Sequence, residues 1–299
     1  MKRVLVLHRW GMGDMILATP MLKSLFLSGF RVDLVINSEV NYEVIEDAPF
    51  INHIYLIKNN WEYARFFLRY DYLVATAGTN PLKVKKLNYI IQAKEVLALS
   101  QERDIHRIDM NLKVVEKLLS KVDKEPYIKV IQESVFLKKY LKSGKNIGFS
   151  IGSTANQKFK RWGVKRYIAL IERLEGNKLV FIGPDELELE KELLTLDVNV
   201  VKCSLKESVK LISALDLMVG NDNGLMHIAY ATKTATVTLF GMTNEKETGS
   251  YRQNSTALSL EMECRPCFDS LTDRVGCDSY ECLVNIELSE VIKACQKYL

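Results

Sequence analysis

Two short segments carry residue types that could do chemistry: Arg9-Trp10-Gly11-Met12-Gly13-Asp14 and, far downstream, Asn221-Asp222-Asn223-Gly224-Leu225-Met226-His227. Each follows an apolar stretch and precedes a helical pattern, the corner at which an open α/β sheet binds ligands. At the first corner, Asp14 sits where a helix dipole favours an ionised carboxylate, and such a group can act as a general base. The plainer reading makes it a helix cap. At the second, Gly220 to Gly224 read as a tight turn whose following helix offers its first-turn amides to an anion, a phosphate cradle without a Walker lysine. Asp222 could cap that helix or orient a ribose hydroxyl, and His227 could face either the ligand or the core.

Three further groups invite a chemical reading. Lys160 lies in the run Lys158-Phe159-Lys160-Arg161, directly before a helix and beside Trp162, so it can meet a leaving diphosphate where an ordinary charge run would only be solvated. Lys83, Lys85 and Lys86 either meet an acidic or phosphorylated acceptor or line the solvent side of a helix, the commoner outcome. Cys264, Cys267, Cys277 and Cys282 open with a C-x2-C spacing that could wrap a structural zinc or iron; unligated thiols or redox-labile pairs are the alternative. Four thiolates would leave no open position for substrate. Cys203 and Cys295 read as small core residues.

The elements that must position these residues alternate. Strands are expected at 3–8, 31–36, 53–57, 71–76 and 95–98, with helices at 14–28, 39–46, 60–69, 82–92 and 108–122. A charged stretch interrupts the pattern, and the linker is placed at 123–145. Strands resume at 146–150, 178–182, 198–202, 216–219 and 235–239, with helices at 163–175, 185–195, 205–214 and 223–232 and one more at the C-terminus. This predicts two Rossmann-like, doubly wound α/β domains, 1–135 and 145–299, with a cleft between them and the cysteine segment 264–282 in the second.

Composition sets the outer limits. At 299 residues, 47% hydrophobic and 26% charged, the chain has the make-up of an ordinary globular protein. Forty-one Lys and Arg against 37 Asp and Glu leave +4, too little to argue for nucleic acid. The apolar start is too short for a signal peptide and no run reaches the ~18 residues of a membrane span. A cytoplasmic enzyme is expected, in peripheral contact with the inner face of the membrane at most, and its six cysteines as thiols or metal ligands. A dehydrogenase is disfavoured: Ile16 stands where G-x-G-x-x-G needs its third glycine, and Asp14 would meet the pyrophosphate.

The ordered set Gly11-Met12-Gly13-Asp14, Ala18-Thr19-Pro20, Lys160-Arg161-Trp162, Gly183-Pro184-Asp185-Glu186 and Asp222 to His227 resembles glycosyltransferase family 9, the bacterial ADP-heptose heptosyltransferases. Phe240-Gly241-Met242-Thr243 and the tail from Cys264 resemble further elements of that family. The resemblance implies a GT-B fold, acceptor bound mainly by the first domain and nucleotide sugar by the second, and inverting transfer without a catalytic metal. Carried over by position, it makes Asp14 the base and Lys160 the diphosphate lysine. Gly13, Ser153, Thr154, Asp222, Asn223, Gly224 and His227 would line the donor, with Glu186 at the ribose and Cys203 and Leu205 at the nucleobase. ADP-heptose is the implied donor. The implied acceptor is a glycan, lipopolysaccharide core first, with a glycolipid or protein as other candidates. Gly163 replaces the family's proline after the tryptophan. Two other classes fit the same scaffold: a GT-B enzyme using another nucleotide sugar, whether transferase or epimerase, and a non-catalytic nucleotide-binding assembly protein.

Overall fold

A computed structural model describes residues 1–131, 133–194, 196–268 and 277–299. The chain divides into two compact units, Met1–Lys129 and Val130–Leu299, each built on a parallel sheet with helices packed on it.

The first unit runs β1 (Arg3–Leu7), α1 (Met12–Leu27), β2 (Arg31–Ile36), α2 (Glu39–Ile45), β3 (His53–Leu56), a 3₁₀ helix (Asn60–Phe66), β4 (Tyr72–Ala75), α3 (Pro81–Ile91), β5 (Glu95–Leu97) and α4 (Arg107–Val115). Its strand order is β3-β2-β1-β4-β5, so the winding reverses between β1 and β4. The strands are short, continuous apolar runs, as expected of a sheet covered on both faces. Asp33, at the centre of β2 and fully buried, is satisfied by Asn52 Nδ2 at 2.6 Å and the Tyr70 hydroxyl at 2.7 Å.

Pro20 lies inside α1 and cannot donate to the carbonyl four residues back. The Thr19 hydroxyl donates to that carbonyl, Ile16 O, at 2.6 Å, which keeps the helix continuous. The same hydroxyl accepts from Tyr127 N at 2.8 Å, and Ser24 Oγ accepts from Asp123 N at 2.9 Å. Residues 123–127, read from sequence as linker, are therefore strapped onto α1. The helix expected over 108–122 is α-helical to Val115 and continues as a 3₁₀ turn, Glu116–Leu118; beyond it the chain is held from outside, where Ser28 Oγ accepts from Ser120 N at 3.0 Å and Lys121 N at 3.2 Å.

The second unit runs α5 (Ser134–Tyr140), β6 (Asn146–Ser150), a 3₁₀ segment (Ala155–Lys160), α6 (Val164–Arg173), β7 (Asn177–Phe181), α7 (Leu187–Leu193), β8 (Asn199–Val201) and α8 (Leu205–Ile212). It continues with β9 (Leu217–Asn221), α9 (Gly224–Thr232), β10 (Ala235–Phe240), α10 (Glu245–Thr248), β11 (Ser255–Ser259), α11 (Glu281–Val284) and α12 (Leu288–Gln296). The strand order β11-β10-β9-β6-β7-β8 reverses between β6 and β9. Helix α5 falls within the stretch expected as linker. Strand β11 was not anticipated, since Ser-Thr-Ala-Leu-Ser offers neither a β-branched run nor clear alternation; its register comes from β10, where Thr236 Oγ1 and Ser255 Oγ lie 2.6 Å apart.

At the amino ends of β6, β7 and β8 three asparagines form a ladder. Asn177 Nδ2 donates to Asn146 Oδ1 at 2.8 Å and Asn199 Nδ2 donates to Asn177 Oδ1 at 2.9 Å. Among the described residues no helix is long and apolar enough to cross a membrane.

Candidate active site

Both reversals of winding lie where a doubly wound sheet opens a crevice at the carboxyl ends of its strands. In the first unit that end is built by the loop after β1 and the loop after β4. Helix α1 begins at Met12 with Gly11 as its N-cap, and no side chain caps it. Asp14 is therefore free of the capping role, and its carboxylate pairs instead with Arg107 at the start of α4, Oδ1 to Nε 3.3 Å. Arg107 also donates to Ala77 O at 3.4 Å, and Asn111 joins the same loop to α1 through Ala77 N at 2.8 Å and Leu17 O at 3.3 Å. Beneath them His8 is fully buried, with Nδ1 3.3 Å from the Thr76 hydroxyl. Burial lowers its pKa to about 4, an effect that Asp14 and the backbone at Gly11 and Trp10 oppose and Arg107 reinforces. The ring is neutral at physiological pH.

In the second unit the crevice is built by the loops after β6 and β9. Asn221, fully buried at the end of β9, uses all its bonding capacity. Its Oδ1 accepts from Trp162 N at 3.1 Å and the Tyr167 hydroxyl at 2.9 Å, and its Nδ2 donates to Ile151 O at 2.9 Å and Gly152 O at 3.2 Å. Trp162, also fully buried, donates its indole N–H to Ile286 O at 3.1 Å. The segment bearing Lys160 is thus clamped two residues from an immobile anchor. Gly163 follows with φ +113, a value that a proline ring, fixed near −65°, cannot adopt, so the family's proline could not occupy this backbone.

Lys160, largely buried, pairs with Asp222 at 3.5 Å and lies 4.9 Å above the Phe268 ring. His227 Nε2 approaches the other Asp222 oxygen at 3.8 Å, its ring edge-on to Tyr230. Burial alone would raise the Asp222 carboxyl, but Lys160, then His227, with the Thr243 hydroxyl, hold it below the ordinary value. The result is a compact cation–carboxylate–imidazole cluster at the amino end of α9.

Asn223, not Asp222, caps α9: its Oδ1 accepts from Leu225 N at 3.1 Å and Met226 N at 3.4 Å, while its Nδ2 donates to Ser150 Oγ at 2.8 Å. Two of the amides expected to be open to an anion are therefore already taken by the cap. Gly224 opens the helix.

The other expected donor residues divide. Ser153 is buried and engaged within its loop, donating to Gln157 O at 2.8 Å and accepting from Arg161 Nε at 3.2 Å, whereas Thr154 is exposed. Glu186 folds back to accept from Gly183 N at 2.8 Å and packs so closely on Gly152 that a Cβ there would lie 1.9 Å from its Oε1. Cys203 stands 3.3 Å from Ser208 Oγ, its thiol pushed up by burial, and Leu205 begins α8. In the first unit Gly13 sits in the first turn of α1. Lys83, Lys85 and Lys86 are exposed on α3.

Cys264, Cys267, Cys277 and Cys282 are free thiols, and among the described residues no three His, Cys, Asp or Glu side chains converge closely enough to hold a metal. Burial pushes the Cys282 thiol up, and Cys267, Cys277 and Cys264 add to the effect; residues 269–276 lie outside the described residues. Arg265 ties this segment to its neighbours, donating to Leu260 O at 2.6 Å, Thr243 O at 3.1 Å and Glu245 Oε2 at 2.8 Å.

Against known proteins, residues 85–276 match the sequence profile described as glycosyltransferase family 9 (heptosyltransferase). The chain belongs to this family. As a family 9 member it is a glycosyltransferase. Its relatives include lipooligosaccharide heptosyltransferase 2 of Haemophilus influenzae, 28% identical over 198 residues, a match spanning 60% of this chain and 55% of that one. The protein of the same name from Campylobacter jejuni subsp. jejuni is 25% identical over 303 residues, spanning 82% and 92%. Among solved structures, a glycosyl transferase family 9 protein from Veillonella parvula superposes with TM-score 0.83 at 21% identity, covering 99% of this chain and 97% of that one. The E. coli ADP-heptose lps heptosyltransferase II does so at 0.72 and 17%, covering 100% and 98%. These likenesses fix the GT-B fold of this family 9 chain.

Sequence reading missed His8, Arg107 and the structural role of Asn221. Asn221 stands inside the quoted motif, and its signal was a polar residue ending an apolar strand. Replacing Asn221 with alanine is expected to cost about 3 kcal/mol in urea unfolding, because Trp162 N–H and the Tyr167 hydroxyl lose their acceptor in a buried site. A loss below about 0.5 kcal/mol would show that the clamp is dispensable.

Proposed function

We propose that this family 9 glycosyltransferase moves a heptose from ADP-heptose onto a glycan acceptor of the lipopolysaccharide or lipooligosaccharide core, with inversion and without a catalytic metal. The observation that carries this reading is the Lys160–Asp222–His227 cluster at the amino end of α9, 3.5 Å and 3.8 Å between partners. A departing nucleoside diphosphate needs positive charge fixed in advance. Lys160 and the helix dipole supply it where other transferases use a divalent ion. The names of the relatives, two lipooligosaccharide heptosyltransferases and an ADP-heptose enzyme, support the choice of sugar and nucleotide.

On the acceptor side Asp14 takes the proton from the attacking hydroxyl. That oxygen bonds to the anomeric carbon as the bond to the diphosphate breaks, and ADP leaves with the electron pair. A single displacement of this kind inverts the centre. Arg107 holds the carboxylate in place, and Lys83, Lys85 and Lys86 face an anionic, lipid-linked acceptor at the cytoplasmic side of the membrane. Thr154, Glu186, Cys203 and Leu205 line the nucleotide and ribose. The cysteine segment is structural in this reading, and no step passes through a metal.

A thermal-shift screen of ADP-heptose against UDP-, GDP- and TDP-sugars tests the donor. ADP-heptose is expected to raise the melting temperature, since a ligand bound only by the folded state stabilises it by mass action. Stabilisation by a non-ADP compound alone would overturn the heptose assignment.

A further inference from the structure

The 3₁₀ helix Asn60–Phe66 and α3 pack side by side on one face of the first sheet. Tyr63, Phe66, Tyr70, Val84 and Ile91 enter a common core with Leu5, Leu7, Leu73 and Ala75, and Leu68 N donates to Ile91 O at 2.9 Å. With their inner sides so engaged, the two elements turn their outer sides to solvent together. That outer surface is unusual for a soluble protein. Trp61 is 76% exposed, Tyr89 80%, Leu68 69%, Leu82 68% and Phe67 55%.

Among these apolar groups stand the exposed cations Arg65, Arg69, Lys83, Lys85 and Lys86. None of the five has an ion-pair partner among the described residues. The acids of the same stretch are occupied elsewhere: Glu62 accepts from the Asn59 amide at 2.9 Å, and Asp71 pairs with Lys94 at 2.7 Å. On α3 the exposed positions 82, 85, 86 and 89 recur at helical spacing, so Leu82 and Tyr89 flank the lysines on one stripe. Val84 and Ile91 take the opposite side.

We propose that this face, formed by the 3₁₀ helix, the turn Phe67–Leu68 and the outer stripe of α3, docks on an anionic lipid bilayer. Charge complementarity selects the occupant: five cations, with Glu62 the one acid on these two helices, suit a surface of anionic headgroups and would repel a second copy of the same face. Tryptophan and tyrosine side chains have an apolar body and a polar tip, which matches the interfacial zone. The inference gives a surface to the membrane contact of the proposed function but stands apart from the donor. The donor screen probes ADP-heptose binding, so either result can fail without the other.

Vesicle co-sedimentation of the full chain tests it, with phosphatidylcholine alone and with phosphatidylcholine plus phosphatidylglycerol. Binding is expected only with the anionic lipid, released by high salt. The triple variant K83A/K85A/K86A is expected to weaken it by roughly a hundredfold at about fivefold per cation, and L82S/Y89S to weaken it without changing the salt response. Unchanged melting temperatures show that the variants fold. Equal binding to neutral vesicles, no binding to either, or binding indifferent to both variants overturns the proposal. So does a pull-down in which an acidic protein, and no vesicle, is lost with K83A/K85A/K86A.

Discussion

Replacing Asp14 with asparagine is expected to lower kcat by about a thousandfold, within the range that a positioned general base contributes, while leaving ADP-heptose affinity within about twofold. Asparagine has nearly the same shape and can still accept a hydrogen bond from Arg107, so the loop after β1 should keep its course. What it cannot do is take a proton from the acceptor hydroxyl. The lost ion pair matters little to stability, because Asp14 is partly open to solvent and such pairs contribute about 1 kcal/mol or less. ADP release measured with acceptor, beside calorimetric titration of the donor, separates the two effects. Unchanged turnover would remove the base assignment, and a matching loss of donor affinity would make Asp14 a binding residue.

The place of Asp14 at a strand–helix corner was legible from sequence and its pairing with Arg107 was not, and the reason lies in the range of the interactions. Gly11 to Asp14 form a local motif, and a carboxylate beside a strand–helix corner declares itself. Arg107 is brought to it by the winding of β4, α3 and β5, and nothing around position 107 marks it. Likewise Asn223 and Asp222 sit side by side as equally good caps. The choice between them was made by Ser150 and Gly152 across the sheet, which orient the Asn223 amide. The strands were placed well because a buried parallel strand writes itself as a short apolar run. Strand β11 was misread because its limits come from a neighbour, β10, and not from its own residues.

Lys160→Met carries the second large effect, on two quantities at once. Turnover should fall by about 10²- to 10³-fold, the range seen when a fixed electrostatic partner of the transition state is removed. Stability should fall by about 3 kcal/mol, because Asp222 would keep its burial and lose its main counter-charge. The sign with pH is distinctive. In the parent chain the Asp222 carboxyl is held low, so its contribution is present above the ordinary carboxylate range and is lost only as pH falls through the lowered value. Without Lys160 burial dominates and the carboxyl rises, so the variant's deficit is full at neutral pH and shrinks as the pH approaches 4. Urea unfolding at several pH values reads this directly. Adding Asp222→Asn to Lys160→Met should restore most of the stability and none of the turnover. A deficit independent of pH, or turnover regained in the double variant, would show that Lys160 acts by packing alone.

The asparagine ladder across β6, β7 and β8 has a consequence at the far end of those strands. Slipping β7 by a single residue would turn Asn177 to the other face and break both amide contacts together, so misalignment is penalised at the bottom of the sheet as well as at the top. The geometry that brings Glu186 onto Gly152 is in this sense proofread remotely. Mutations that soften the ladder should blur nucleotide selectivity while sparing every residue a ligand could touch.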